Sequence, residues 1–377
     1  MLTICDYPEI GDTAYESRRL GDGRMKNVDV AERAVFSSHH HLRAPTINIS
    51  IFNGSTRSNS TIMASAQYVG RLTQRMIYDQ LRAEGSPWLK KHVLYADRQV
   101  IVMNKPPGLI CQLDHKESTA KPGPTSLNSV FKDIRSCFPT AHPYPVHRLD
   151  RMTTGCLAIP VQYSAAKSLS LQFQKGTVHK SYLALVRGGE KTFSETKGTI
   201  RASLLYDDGR PEIDPMGKES ITEWEVLASS PKVPISLLRL NLITGNKHQL
   251  RIHLAKVLKA PILGDNLYSQ SPLHQSVLSR THVPEDGLFL HGSDLSFFKY
   301  RPNGNRYRLG IHAPVPLDFM RICKDLGVPL PASYKQPGLS IDGEPVHQSV
   351  GHAHPNDESE WDLRLWNPAL PIVDASI

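Results

Sequence analysis

A single aspartate, Asp150, stands in the stretch HPYPVHRLDRMTTGCLAI (142–159) between Arg148 and Arg151, with His147 just before it and Thr153, Thr154 and Gly155 just after. A carboxylate flanked by cations is suited to chemistry as an anion: it is a poor general acid, but it can attack carbon as a nucleophile or stabilise positive charge developing at a sugar carbon. The competing reading is a surface ion-pair cluster, which contributes little. The stretch alone leaves both open.

A working carboxylate needs rigid support. GCLAI reads as a strand entered through a tight turn that Gly155 permits. Upstream, HVLYADRQVIVMNKPPG reads as two short β runs around Asp97–Gln99, closed by Pro106, Pro107 and Gly108. Downstream, SAAKSLSLQFQKG predicts a helix with Ala166, Leu169 and Phe173 on one stripe and Gly176 as its stop. KSYLALVRG alternates as a strand, with Tyr182, Ala184 and Val186 on one face and Ser181, Leu183 and Leu185 on the other. ISLLRLNLITG predicts a further strand, running into NKHQLRIHLAKVL, where Leu250, Leu254 and Val257 mark the buried side of a helix. Strands and helices mix without a βαβ rhythm, so the expected class is α+β.

The ordered blocks resemble one family. HRLDRMTTG is similar to the HRLDxxTSG signature of the RluA-type RNA pseudouridine synthases, with Thr154 where serine is usual. VIVMNKPPGL, KSYLALVRG, TGNKHQLRIHLA, PILGDNLY and LFLHGSDLSF resemble the family's remaining blocks, in family order, across about 91–328. The resemblance implies a bent mixed sheet flanked by helices with a central active-site cleft. It also implies isomerisation of uridine within RNA, by breaking the N1–C1′ bond and joining C5 to C1′, without metal, redox cofactor or nucleotide energy source. Asp150 then maps onto the essential carboxylate, attacking C1′ or promoting a glycal intermediate. Tyr182 maps onto the residue that stacks on uracil, and Arg251 onto the partner that orients Asp150. Ile252 maps onto an apolar wall, while His147 and Arg148 become candidates for phosphate contact or for filling the place of the extruded base. His248, Gln249 and His253 are read as structural. Asn246 stands where the family commonly has arginine, and Lys247 beside it is the candidate replacement.

Composition agrees with a polyanionic partner: 377 residues carry a formal charge of +8, and the pI is near 9.1. No apolar run approaches the roughly 20 residues that cross a bilayer, and the N-terminal stretch lacks a secretory pattern. Five scattered cysteines suggest neither a disulfide framework nor a zinc site. The expected protein is an intracellular monomer acting on rRNA or tRNA, with no metal and no membrane association.

Residues 1–62 read as a disordered extension, 63–90 as an amphipathic helical segment with Val69, Leu72 and Met76 at helical spacing, 91–328 as the catalytic domain and 335–377 as an unpacked tail. A chain begun at Met63 would resemble a mitochondrial presequence, with cytoplasm and nucleus as the other options. His39–His41 and the pair His352 and His354 lie in polar runs and read as solvated. Two rival functions were weighed against the isomerase: a non-catalytic RNA-binding protein retaining the fold, against which Asp150, Tyr182 and Arg251 together argue, and a glycosidase, which lacks a second acid at a matching site.

Overall fold

The computed structural model describes residues 73–112, 123–207, 210–269, 271–301, 303–346 and 364–366. The expected extension 1–62, the Met63 start and both histidine groups lie outside the described residues.

Helix α1 (Gln74–Glu84) begins where the Thr73 side chain accepts the Met76 N–H, and ends at Gly85. Helix α2 (Pro87–His92) follows at once, capped by Ser86 with Pro87 in its first turn, where a missing N–H does no harm. Strands β1 (Val93–Ala96) and β2 (Val100–Lys105) form the expected hairpin around Asp97. Helix α3 (Leu127–Cys137) precedes the Asp150 loop, which leads into β3 (Thr154–Pro160). Helix α4 (Tyr163–Gln174) buries Ala166 and Leu169 as predicted, and Gly176 beyond it takes φ +67°. Then come β4 (His179–Arg187), β5 (Lys197–Asp207), β6 (Arg210–Ile213), β7 (Lys218–Ser229) and β8 (Ile235–Leu242). The helical turn α5 (Gln249–Ile252) widens into a π-helical segment, His253–Val257. The chain closes with α6 (Gln275–Leu278), β9 (Leu290–Tyr300), β10 (Arg306–His312), α7 (Leu317–Leu326), β11 (Gly338–Ile341) and β12 (Glu344–Pro345).

The sheet runs β1-β2-β3-β9-β4-β8-β7-β5-β6, with β10 on β9 and β11 and β12 beyond. Only β3 and β9 pair in parallel among the described strands, through Thr154↔His291 and Gly155↔Gly292, so the sheet is mixed, as expected for this α+β fold. That junction joins the two halves of the sheet. Gly155 is required there: its φ is +113°, and a Cβ would lie 2.1 Å from the Gly292 carbonyl oxygen. Both faces are covered at β2 and β3 in one half and at β4 and β8 in the other. Leu183 and Leu185 join one apolar cluster and Tyr182, Ala184 and Val186 another, as the alternation of β4 requires.

Two boundaries and one helix face differ from the sequence reading. Packing begins at α1 rather than near residue 91: Ile77, Tyr78 and Leu81 share a core with β2, β3 and α3, while Met76 is exposed. Each such burial contributes roughly 2 kcal/mol, enough to make α1 part of the domain. The tail is packed where it is described. β11 pairs with β10, and Trp366 is buried against Tyr78, its indole N–H donating to the Lys90 carbonyl at 2.7 Å. Val257 is exposed, because the i to i+5 turn closed by Leu258 N–H on the His253 carbonyl takes it off the Leu250–Leu254 stripe.

Candidate active site

Asp150 sits on the irregular segment just before β3, and the loop beneath it is tied down through its backbone. Lys105, at the end of β2, is fully buried, and its ammonium donates to the carbonyls of Pro106 at 3.1 Å, Arg151 at 2.9 Å and Thr153 at 2.8 Å. Gly108 N–H reaches the same Arg151 carbonyl at 2.8 Å, and Thr153 N–H closes a turn on the Asp150 carbonyl at 3.1 Å. Burial pulls the Lys105 pKa down to about 8, against the raising influence of Cys111 and Asp150. The NKPPG turn and the HRLD loop are therefore one hydrogen-bonded unit.

A second group of residues faces Asp150 from α5 and the segment after it. Arg251 Nη1 lies 3.5 Å from Asp150 Oδ2, and His248 Nε2 lies 3.8 Å from the same oxygen. Arg251 makes its bidentate pair elsewhere, with the fully buried Asp265, at 2.8 and 2.7 Å. Asp265 Oδ1 also accepts the N–H groups of Leu267 and Tyr268. Tyr268 lies under the guanidinium at 5.3 Å and its hydroxyl meets His248 Nδ1 at 2.8 Å. Burial works against the Arg251 charge, but the hydrogen bonds and charge of Asp265, with Asp150 behind them, hold its pKa above the ordinary value. For His248, burial outweighs the attraction of Asp150 and lowers the pKa, so the ring is neutral near neutral pH.

These groups line an open cleft of about 350 Å³, bounded by Arg148, Asp150, Arg151 and Met152 on one side, His248 and Arg251 on the second, and Gly264, Asn266, Leu267, Asp286 and Leu288 on the third. The Asp150 side chain is 21% exposed into it. Tyr182 comes from β4 and is 8% exposed. It stands opposite a register shift between β4 and β9, and Gly292 leaves room for its ring: a Cβ there would lie 3.3 Å from Tyr182 Cε1. Burial, then the nearby charge of Asp150, raises the Tyr182 pKa, so its hydroxyl stays protonated.

Asp150 and Arg251 thus line one cleft, with Arg148 exposed at its rim, while Tyr182 is buried within the influence of the Asp150 charge and is not among the lining residues. Two further expected residues are not brought to the cleft. His147 is stacked on Phe173 at 4.6 Å, and its Nε2 accepts the Ala158 N–H at 2.8 Å, which fixes a neutral ring. Burial, then Lys180, lowers its pKa to about 3. Ile252 is 1% exposed and turns inward, since the residue beside Arg251 on a helix cannot share its direction. Sequence reasoning missed Asp265, Tyr268 and Lys105 as site residues, although PILGDNLY and VIVMNKPPG contain them, and it read the cleft-lining His248 as structural.

A model of the RNA pseudouridylate synthase family matches residues 99–256. The chain is 35% identical over 218 residues to tRNA pseudouridine synthase C of Pasteurella multocida, covering 54% of this chain and 84% of that protein. It is 33% identical over 212 residues to the dual-specificity RNA pseudouridine synthase RluA of Yersinia pestis, covering 53% of this chain and 96% of that one. Among solved structures, human RNA pseudouridylate synthase domain containing 4 superposes with a TM-score of 0.52 at 23% identity, over 67% of this chain and 98% of that chain, a likeness of fold.

Proposed function

The chain belongs to the RluA-type RNA pseudouridine synthases, and from that premise we propose that Asp150 is its catalytic carboxylate, acting on a uridine of rRNA or tRNA that has left its stack. Asp150 attacks C1′, and the electron pair of the N1–C1′ bond leaves with the uracil. The base turns within the cleft, C5 bonds to C1′ as the carboxylate departs, the C5 hydrogen is lost as a proton and N1 gains one. Atoms and electrons balance without a cofactor.

The observation that carries this reading is the half-open position of Asp150, which faces the cleft on one side and Arg251 at 3.5 Å on the other. A carboxylate bound bidentately by arginine would be a weak nucleophile; here Asp265 takes both strong hydrogen bonds and Arg251 is left to orient Asp150 by charge. Tyr182 supplies an aromatic face for uracil, and its protonated hydroxyl avoids placing a second anion beside Asp150. Arg148, exposed at the rim, contacts phosphate or fills the gap left by the extruded base.

One relative is named for tRNA and another for dual specificity, which supports tRNA as one class of target, and rRNA is the second class in the proposal. Chemical mapping of pseudouridine across rRNA and tRNA from cells lacking the protein tests the reading: specific uridines lose the modification and regain it on re-expression. Unchanged maps in both RNA classes would contradict it.

A further inference from the structure

The arm formed by β5, β6 and β7 at one end of the sheet has two faces of opposite character. Paired residues in an antiparallel ladder point the same way, and successive residues alternate. The pairs Leu205↔Glu212, Ser203↔Glu219, Thr199↔Glu223 and Lys197↔Glu225 therefore gather glutamates on one face. Several are engaged there: Arg201 meets Glu219 at 3.4 Å, Asn241 donates to Glu223 at 3.3 Å, and Arg239 pairs with Glu225. The opposite face, set by Ile200↔Thr222, Ala202↔Ser220, Leu204↔Lys218, Leu204↔Ile213 and Tyr206↔Pro211, has no acidic residue at any of these positions.

This second face is the one joined to the cleft. Its Ser220 accepts from the Asn246 amide at 2.7 Å and its Thr222 from Gln249 at 3.0 Å. Asn246, which departs from the family's usual arginine, thus holds the arm. The next residue, Lys247, sets its ammonium 5.1 Å from the centre of the Tyr206 ring, and the residue after that, His248, faces Asp150. Farther out, the arm leaves apolar side chains in solvent: Tyr206 is 47% exposed, Met216 is 85% exposed, and Ile213 is also exposed. Aromatic and apolar surface beside lysines, reached from the cleft through Lys247 and backed by a face whose charges are paired, fits a strand that offers flat bases and phosphates to one side only.

We propose that this face of the arm is a stacking platform for RNA nucleotides flanking the target uridine, with a base against Tyr206 and phosphates near Lys218 and Lys247. The proposal rests on the cleft at Asp150 receiving the uridine, and it adds a residue set that holds the neighbouring nucleotides. The opposite face sets Lys197, Arg201 and Arg239 among its glutamates, so its charges are largely paired with one another and offer a strand little net attraction.

The test uses the full chain carrying Asp150→Asn and a hairpin RNA with an all-uridine loop and 2-aminopurine at the loop edge. In this background Tyr206→Ala weakens binding about tenfold and abolishes the fluorescence quenching that accompanies binding, while Tyr206→Trp preserves both. Lys218→Ala reduces the slope of log Kd against log salt by roughly 1. Glu212→Gln, on the other face, leaves Kd unchanged. Parent-like binding and quenching by Tyr206→Ala overturns the platform, as does a Glu212→Gln effect as large as that of Tyr206→Ala, which would show that RNA does not distinguish the two faces. Because this readout needs no turnover, it is independent of the catalytic reading: absence of pseudouridine formation by the wild-type chain sinks that reading and leaves the binding result standing.

Discussion

The two sides of the cleft hold their groups by different chemistry. Beneath Asp150 the support is backbone: Lys105 and Gly108 bind main-chain carbonyls, and the identity of the residues that offer them hardly matters. Across the cleft the support is side chain to side chain, with Asp265, Arg251, Tyr268 and His248 each fixing the next. The first arrangement sets where the carboxylate is. The second sets the charge it meets, and keeps strong hydrogen bonds off it.

Breaking the backbone side should have the larger effect. Lys105→Met takes the ammonium from three carbonyls, of which that of Arg151 keeps the Gly108 N–H, at a cost of about 3 kcal/mol, and frees the loop to drift by the order of an ångström, which lowers single-turnover pseudouridine formation roughly a hundredfold. Urea unfolding and rapid-quench kinetics check both, and near-wild-type values would refute the backbone account. On the opposite side, Asp265→Asn removes the charge that engages Arg251, so the guanidinium turns toward Asp150 and pairs with it. The expected loss is roughly tenfold in the chemical step with RNA affinity retained; a loss confined to binding would show that Asp265 serves the RNA instead.

The smallest effect on the chemical step concerns the histidines of the backbone side, which act on stability. His147 and His291 are held neutral, each mainly by burial, with pKa values lowered to about 3 and about 4 from 6.5. As the pH falls below 6.5 the unfolded chain takes up protons on these rings that the folded chain does not, so stability declines from there down toward the folded values. Between pH 7 and 5 the two rings should lower the unfolding free energy by up to about 4 kcal/mol, and His147→Gln, which can still accept the Ala158 N–H, should remove about half of that dependence. An unchanged slope would assign the acid sensitivity to other groups.

This contrast also explains what could be read in the sequence. The alternation of β4 carried both of its buried faces, and the strand leading into the Arg251 helix was evident from its apolar pattern. Side-chain partners were partly legible: Asp265 stands in the quoted PILGDNLY block, but nothing in its type separates a partner of Arg251 from a partner of Asp150. The carbonyl clamp was not legible, because any residue can supply a carbonyl. His147 was misread for a related reason. Adjacency to Arg148 in sequence says nothing of direction, and the extended chain turns His147 inward to Ala158 while Arg148 faces the cleft. The tail escaped notice because its anchorage rests on few residues, chiefly Trp366 and the Arg364 backbone held by Gln74 and Tyr78, amid a polar composition.

The central claim is that Asp150 performs the chemistry while its surroundings position it. The direct measurement is single-turnover pseudouridine formation by Asp150→Asn on the RNA identified by mapping, alongside its affinity for that RNA. The account predicts no detectable product with wild-type affinity; product formed at the wild-type rate would contradict it.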